Sequence, residues 1–150
     1  MKKIIALLMI LSLLLAACSQ ESDDDVVEDV VEIEITERFF IAQTNEIIGN
    51  PARYLGRTIR LEGMFFSQVW PATGEEFHFV FRMMEGCCGP EEPVGFELRL
   101  EDTVPPPDNT WVEVTGVLEQ YVGFWQQYSL RLEVLSLTEM SERGAEFVTQ

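Results

Sequence analysis

Two adjacent cysteines, Cys87 and Cys88, carry the most distinctive chemistry in the chain. They sit in Glu85-Gly86-Cys87-Cys88-Gly89-Pro90-Glu91-Glu92-Pro93. The third and last cysteine, Cys18, belongs to an N-terminal processing signal, so the pair has no distant thiol to bridge. Adjacent Cα atoms lie ~3.8 Å apart across a trans peptide, whereas ordinary disulfides span ~4.4–6.8 Å. A bond between neighbours is therefore strained and readily reduced, which suits a dithiol–disulfide switch in an oxidising compartment. The same two thiolates, completed by Glu91, Glu92, Glu85 or His78, would suit zinc or another thiophilic divalent metal. A third reading needs no chemistry: two small apolar residues pack a turn whose shape comes from Gly86, Gly89 and Pro90. Adjacent thiols are not the C-x-x-C pair of zinc sites, and His78 is the single histidine of the chain. All three readings stay open on the residues.

His78 lies in an aromatic stretch, Phe77-His78-Phe79, where a lone histidine is more often a partnered barrel residue than a ligand. Trp70, Trp111, Trp125, Phe65, Phe66 and Tyr121 could line a ligand surface, although core or rim packing is the weightier expectation. The chain lacks G-x-S-x-G and Walker motifs, and it has no second histidine for a catalytic pair. A catalytic carboxylate pair cannot be singled out among 26 acidic residues. No catalytic residues are assigned, and the chain reads as a binding module rather than an enzyme.

The elements that must position these residues are mostly strands. Thr58 to Phe65 alternates apolar and polar residues, the mark of a half-buried strand. Phe77–Arg82, Val94–Leu100, Trp111–Leu118 and Tyr128–Leu137 are the second to fifth. Pro71-Ala72-Thr73-Gly74 is a tight loop, and Pro105-Pro106-Pro107-Asp108-Asn109 is a rigid one. Before the first strand, Thr44 or Asn45 can cap a short helix through Ile48, ended by Gly49-Asn50-Pro51. Gly63 and Gly116 fall inside strands, where glycine marks a bulge or tight bend. Five strands with such bends predict an all-β fold, a small five-stranded OB-like barrel with a short N-terminal helix. A small open sheet or sandwich is the second choice.

The ends of the chain set its expected location. Met1-Lys2-Lys3 is a positive n-region, and Ile4–Ala17 is an apolar run too short for a confident membrane span. Leu15-Ala16-Ala17-Cys18 resembles a bacterial lipobox. The expected organisation is a signal peptide over 1–17, a lipidated Cys18 with an acidic linker over 18–38, and the barrel domain over 39–150. Two or three acyl chains such as palmitate hold a protein firmly to a membrane. The linker carries nine acidic residues and no basic ones between Ser19 and Glu37. Like-charge repulsion extends such a segment into a spacer, within which Val26–Ile35 can form a transient strand. Removing Lys2 and Lys3 takes the formal charge from −16 to −18. Phosphate backbones repel such a chain, which argues against nucleic acid as a partner.

Several segments together resemble the C-terminal domain of YcgQ-type bacterial proteins. They include Asn50-Pro51 with Tyr54-Leu55-Gly56-Arg57-Thr58-Ile59, then Leu61-Glu62-Gly63-Met64-Phe65, Gly86-Cys87-Cys88-Gly89 and Gly95-Phe96-Glu97. Trp111-Val112-Glu113, Gly116-Val117-Leu118-Glu119 and Glu142-Arg143-Gly144-Ala145-Glu146-Phe147-Val148 belong with them. The resemblance covers nearly all of 39–150, and the double cysteine is its most specific part. It implies association with a predicted permease and a link to metal handling. Members usually carry N-terminal membrane helices, which a lipobox replaces here. The resulting expectation is a membrane-anchored extracytoplasmic binding module, in its most specific form a metal-linked accessory to a transporter. The alternatives are a thiol-redox protein using Cys87 and Cys88, and a structural envelope lipoprotein without ligand.

Cys18→Ala should release the protein from membranes or leave it as uncleaved precursor. Membrane fractionation and intact-mass measurement check this, and unchanged processing with retained detergent dependence would remove the anchor.

Overall fold

A computed structural model describes residues 31–85, 91–123 and 126–149. Strand β1 (Ile33–Ile35) is followed by a 3-10 turn (Glu37–Phe39), helix α1 (Phe40–Gly49) and a second 3-10 turn (Pro51–Arg53). Five longer strands follow: β2 (Thr58–Val69), β3 (Glu76–Met84), β4 (Glu92–Arg99), β5 (Trp111–Val122) and β6 (Tyr128–Glu139). A two-residue strand β7 (Phe147–Val148) ends the series.

The five long strands close on themselves. β2 pairs antiparallel with both β3 and β5, β3 with β4, and β5 with β6. β4 and β6 complete the ring in parallel, over Glu97–Arg99 against Arg131–Glu133. Numbered within the barrel, this order is 1-2-3-5-4-1 with a parallel third and fifth strand, the OB arrangement expected from the strand pattern. β2 can pair on both sides because it bends. Thr58–Met64 lies against β5 and Met64–Val69 against β3, so the change of partner falls at Gly63 and Met64. Gly116 sits where the β5–β6 register shifts after Thr115, the signature of a bulge.

All five strands lie where apolar alternation places them, most of them longer by a few residues. The interior is apolar, with Ile59, Leu61, Phe65, Val80, Leu118 and Leu132 among the fully buried side chains. The helix begins earlier than the expected cap at Thr44 or Asn45. Thr44 is itself buried, and Phe40, Ile41, Thr44 and Ile47 form one inward face at helical spacing. Burial of this face, led in by the Glu37–Phe39 turn, decides the start, and Phe39 at the N-cap makes no side-chain cap bond. The end is as expected: the Asn50 N–H donates to the Glu46 carbonyl, and Pro51 opens the next turn.

The flanking segments are tied to the barrel. β1, at the end of the acidic segment, pairs parallel with β2 from Ile33 beside Ile59 to Ile35 beside Leu61. β7 pairs parallel with β3 at Met83 and Met84. Both ends meet at Arg82, a β3 residue that points inward and is only 1% exposed. Its Nε donates to the Glu62 carbonyl at 2.9 Å. Its Nη1 donates to Glu37 Oε2 at 2.8 Å and to the Ala145 carbonyl at 3.0 Å. The guanidinium carbon lies 5.1 Å from the Phe40 ring centre and 4.8 Å from that of Trp111. The Glu37 carboxylate also accepts the Ala145 N–H at 2.8 Å.

The hydrogen bond from Ala145, then that from Arg82, holds the Glu37 carboxyl below its ordinary value of 4.5. A lowered carboxylate adds stability above the unfolded value and loses it as pH falls through the folded one. Removing one partner of a buried charge pair costs about 3–5 kcal/mol. Arg82→Ala should therefore lower stability by about that amount in urea melts at neutral pH. Glu37→Gln should lower it by less, because half of the Glu37 side chain is exposed and solvent screens it. The Glu37→Gln deficit should shrink as pH falls below about 4.5, and a pH-independent deficit would contradict the ion-pair account.

Candidate functional site

β3 carries apolar side chains on both faces, with the charged Arg82 on the inner one. Val80 and Met84 turn inward beside Arg82, so Phe79, Phe81 and Met83 lie on the opposite, outer face. Outer faces of antiparallel strands are usually polar, and the residues around this one show what it lines. Phe66 of β2 pairs with Phe79, Glu97 of β4 pairs with Phe79 from the other side, and Gly95 pairs with Phe81. These residues border a groove of about 930 Å³.

The groove follows from the barrel's closure. β4 and β6 are paired only from Glu97 and Arg131 onward. The earlier residues of both strands, including Pro93, Gly95, Tyr128 and Ser129, line the groove instead, while Phe96 opposite Val80 stays in the core. Ile48 and Pro51 bring the end of α1 to its border. Gly95 keeps the floor low, because a Cβ there would overlap the Val80 carbonyl oxygen and the Phe81 backbone. Phe66 and Tyr128 are exposed at the border, Tyr128 at 76%.

One charged side chain, Glu97, is among the groove's lining residues. It is held by a network over three strands. The Tyr121 hydroxyl donates to Glu97 Oε2 at 2.6 Å. The Arg131 guanidinium lies 4.3 Å from the Tyr121 ring centre and donates from Nε to Glu119 Oε1 at 2.6 Å. Burial raises the Glu97 carboxyl above its ordinary value, against the Tyr121 hydrogen bond and the Arg131 charge, which pull it down. Burial, then the bond to Glu97, pushes the Tyr121 hydroxyl up to about 12, so it remains a donor at physiological pH.

The residues singled out by type fall in different places. Cys18, Cys87, Cys88 and Trp125 lie outside the described residues. Glu92 pairs with Met84, which puts Glu85, Glu91 and Glu92 at the ends of β3 and β4 that flank residues 86–90. His78 lies six residues before Met84, ~20 Å along an extended strand. Its Nδ1 is 2.9 Å from Ser67 Oγ, and its ring stacks on Phe65. No group of three or more His, Cys, Asp or Glu able to hold a metal occurs among the described residues. Of the aromatics, Phe65 and Trp111 are core, Phe66 lines the groove, and Tyr121 fixes Glu97. Phe79, Phe81 and Tyr128 were not singled out by type as groove residues. The signal available for the first two was a strand whose residues 77, 79, 81 and 83 are all apolar; alternation alone would turn that side to the core, and burial of Val80 and Arg82 on the other side leaves it outside.

The family model described as the DUF1980 C-terminal domain matches residues 16–148. The chain belongs to that family, in accord with the YcgQ-type resemblance of its residues. No curated protein and no solved structure matches the chain.

A carboxyl whose folded pKa is raised contributes stability below the unfolded value and loses it as pH rises through the folded one. Glu97→Gln removes that cost while keeping an acceptor for Tyr121. The variant should be at least as stable as the parent at pH 7, with the advantage vanishing below about pH 4.5. Thermal melts across pH 4–8 test this, and a destabilised variant at pH 7 would show that the ionised carboxylate is needed.

Proposed function

We propose that this member of the DUF1980 C-terminal domain family is a membrane-anchored extracytoplasmic binding module whose ligand lies in the groove beside β3, β4 and β6. The observation that carries the reading is the apolar outer face of β3, where Phe79, Phe81 and Met83 line a groove on the barrel that no other element among the described residues fills. Burying apolar surface is worth ~25 cal/mol per Å², so a ligand covering these side chains gains affinity from them. The second and third barrel strands, here β3 and β4, are also the face on which OB barrels commonly bind. The lipobox at Leu15-Ala16-Ala17-Cys18 and the acidic linker support presentation of the module on the outer side of a membrane. No helix among the described residues is long and apolar enough to cross one.

The test uses the neutral fluorescent probe Nile red with the full chain. Its emission should rise and shift to the blue with the parent protein. The response should fall at least fivefold in Phe79→Asp and in Tyr128→Asp, with Leu135→Asp, which is exposed but outside the groove lining, behaving as the parent. Equal probe binding by all four proteins would show that the groove is not a ligand site.

A further inference from the structure

We infer that the ligand of this groove is an uncharged carbohydrate chain, an inference that rests on the groove being the binding site. The lining combines two chemistries. Phe66, Phe79 and Tyr128 supply aromatic surface, and Gln68, Asn109 and Gln120 supply amide groups. The three amides are exposed, and their side chains make no hydrogen bond among the described residues. Each amide offers both a donor and an acceptor. A sugar hydroxyl does the same, and the C–H face of a sugar ring packs on an aromatic face, whose negative centre attracts it. Aromatic surface beside uncommitted amides therefore matches the two-sided chemistry of a pyranose.

The other ligand classes fit less well. An acyl chain covering the groove would strip water from the three amides and return no hydrogen bond, a cost for each group. A phosphorylated or carboxylated polymer would meet a chain of formal charge −16 in a groove with no basic lining residue. A cationic peptide would find a single lining carboxylate, Glu97, already occupied by the Tyr121 hydroxyl and close to Arg131. The volume of about 930 Å³ lies at the upper end of small-molecule sites, as an oligosaccharide of several rings requires.

Isothermal titration calorimetry of the full chain with three neutral tetrasaccharides, cellotetraose, maltotetraose and chitotetraose, tests the inference, with a heparin tetrasaccharide as the anionic control. At least one neutral glycan should bind and heparin should not. Tyr128→Ala and Gln68→Ala should each weaken that binding about three- to tenfold, while Leu135→Ala should leave it unchanged. Both groove positions are exposed, so their melting temperatures should stay at the parent value, which separates lost recognition from lost folding. Binding unaffected by either groove substitution, or heparin binding as tight as that of the neutral glycan, overturns the inference. Failure of all three neutral glycans also overturns it. If Nile red still reports the groove in that case, the binding-module reading stands and only the ligand class falls. If Nile red fails as well, both fall.

Discussion

The buried Arg82 guanidinium is the constraint on which the rest of this structure depends. A charge taken out of water must find compensation in fixed geometry. Here that comes from four separate parts of the chain: the Glu37 carboxylate, the Glu62 and Ala145 carbonyls, and the faces of Phe40 and Trp111. Satisfying one side chain thus brings together the segment before the helix, β2, β5 and the C-terminal tail. The Glu37–Phe39 turn leads directly into α1, so the same contact helps set where the helix begins and which of its faces meets the barrel. The short β1 and β7 strands, too small to be stable alone, lie beside this anchored region.

β3 serves the core and the groove with alternate residues. Its inward side supplies Val80 and Arg82, while its outward side supplies Phe79, Phe81 and Met83. The two faces are coupled through the backbone, since the alternation of a strand has a period of two. Closure of the barrel through a short parallel contact between β4 and β6 leaves the earlier parts of those strands at the groove. The groove is therefore a product of topology as much as of side chains. Glu97 marks the point where pairing begins, and the network from Tyr121 through Arg131 to Glu119 joins β4, β5 and β6 there. That network leaves the groove itself nearly free of charge on a strongly acidic protein.

Much of this architecture was legible in the residues. A strand with a buried side repeats every second residue, and five such runs separated by proline- and glycine-rich loops leave few alternatives to a small barrel. Gly116 marked its bulge in advance, and Gly63 marked the bend of β2. The charge excess, the lipobox pattern and the double cysteine are facts of composition and order, independent of folding. The chemistry read at Cys87 and Cys88 rests on residue type and on the family they resemble.

Tertiary structure decided what depends on distant partners. Arg82 reads as an ordinary polar residue in an amphipathic strand, and only packing shows that residues 45 positions before it and 63 after it surround its charge. The helix start was misplaced for the same reason: Thr44 has the chemistry of a cap, but burial of one face overrides local capping preference. His78 has the chemistry of a ligand, yet its neighbours are Ser67 and Phe65 across a strand pairing that register alone establishes. The groove collects side chains from α1 to β6. Local periodicity determined the strands of this protein, while the groove and the buried ion pair were decided by which strands became neighbours.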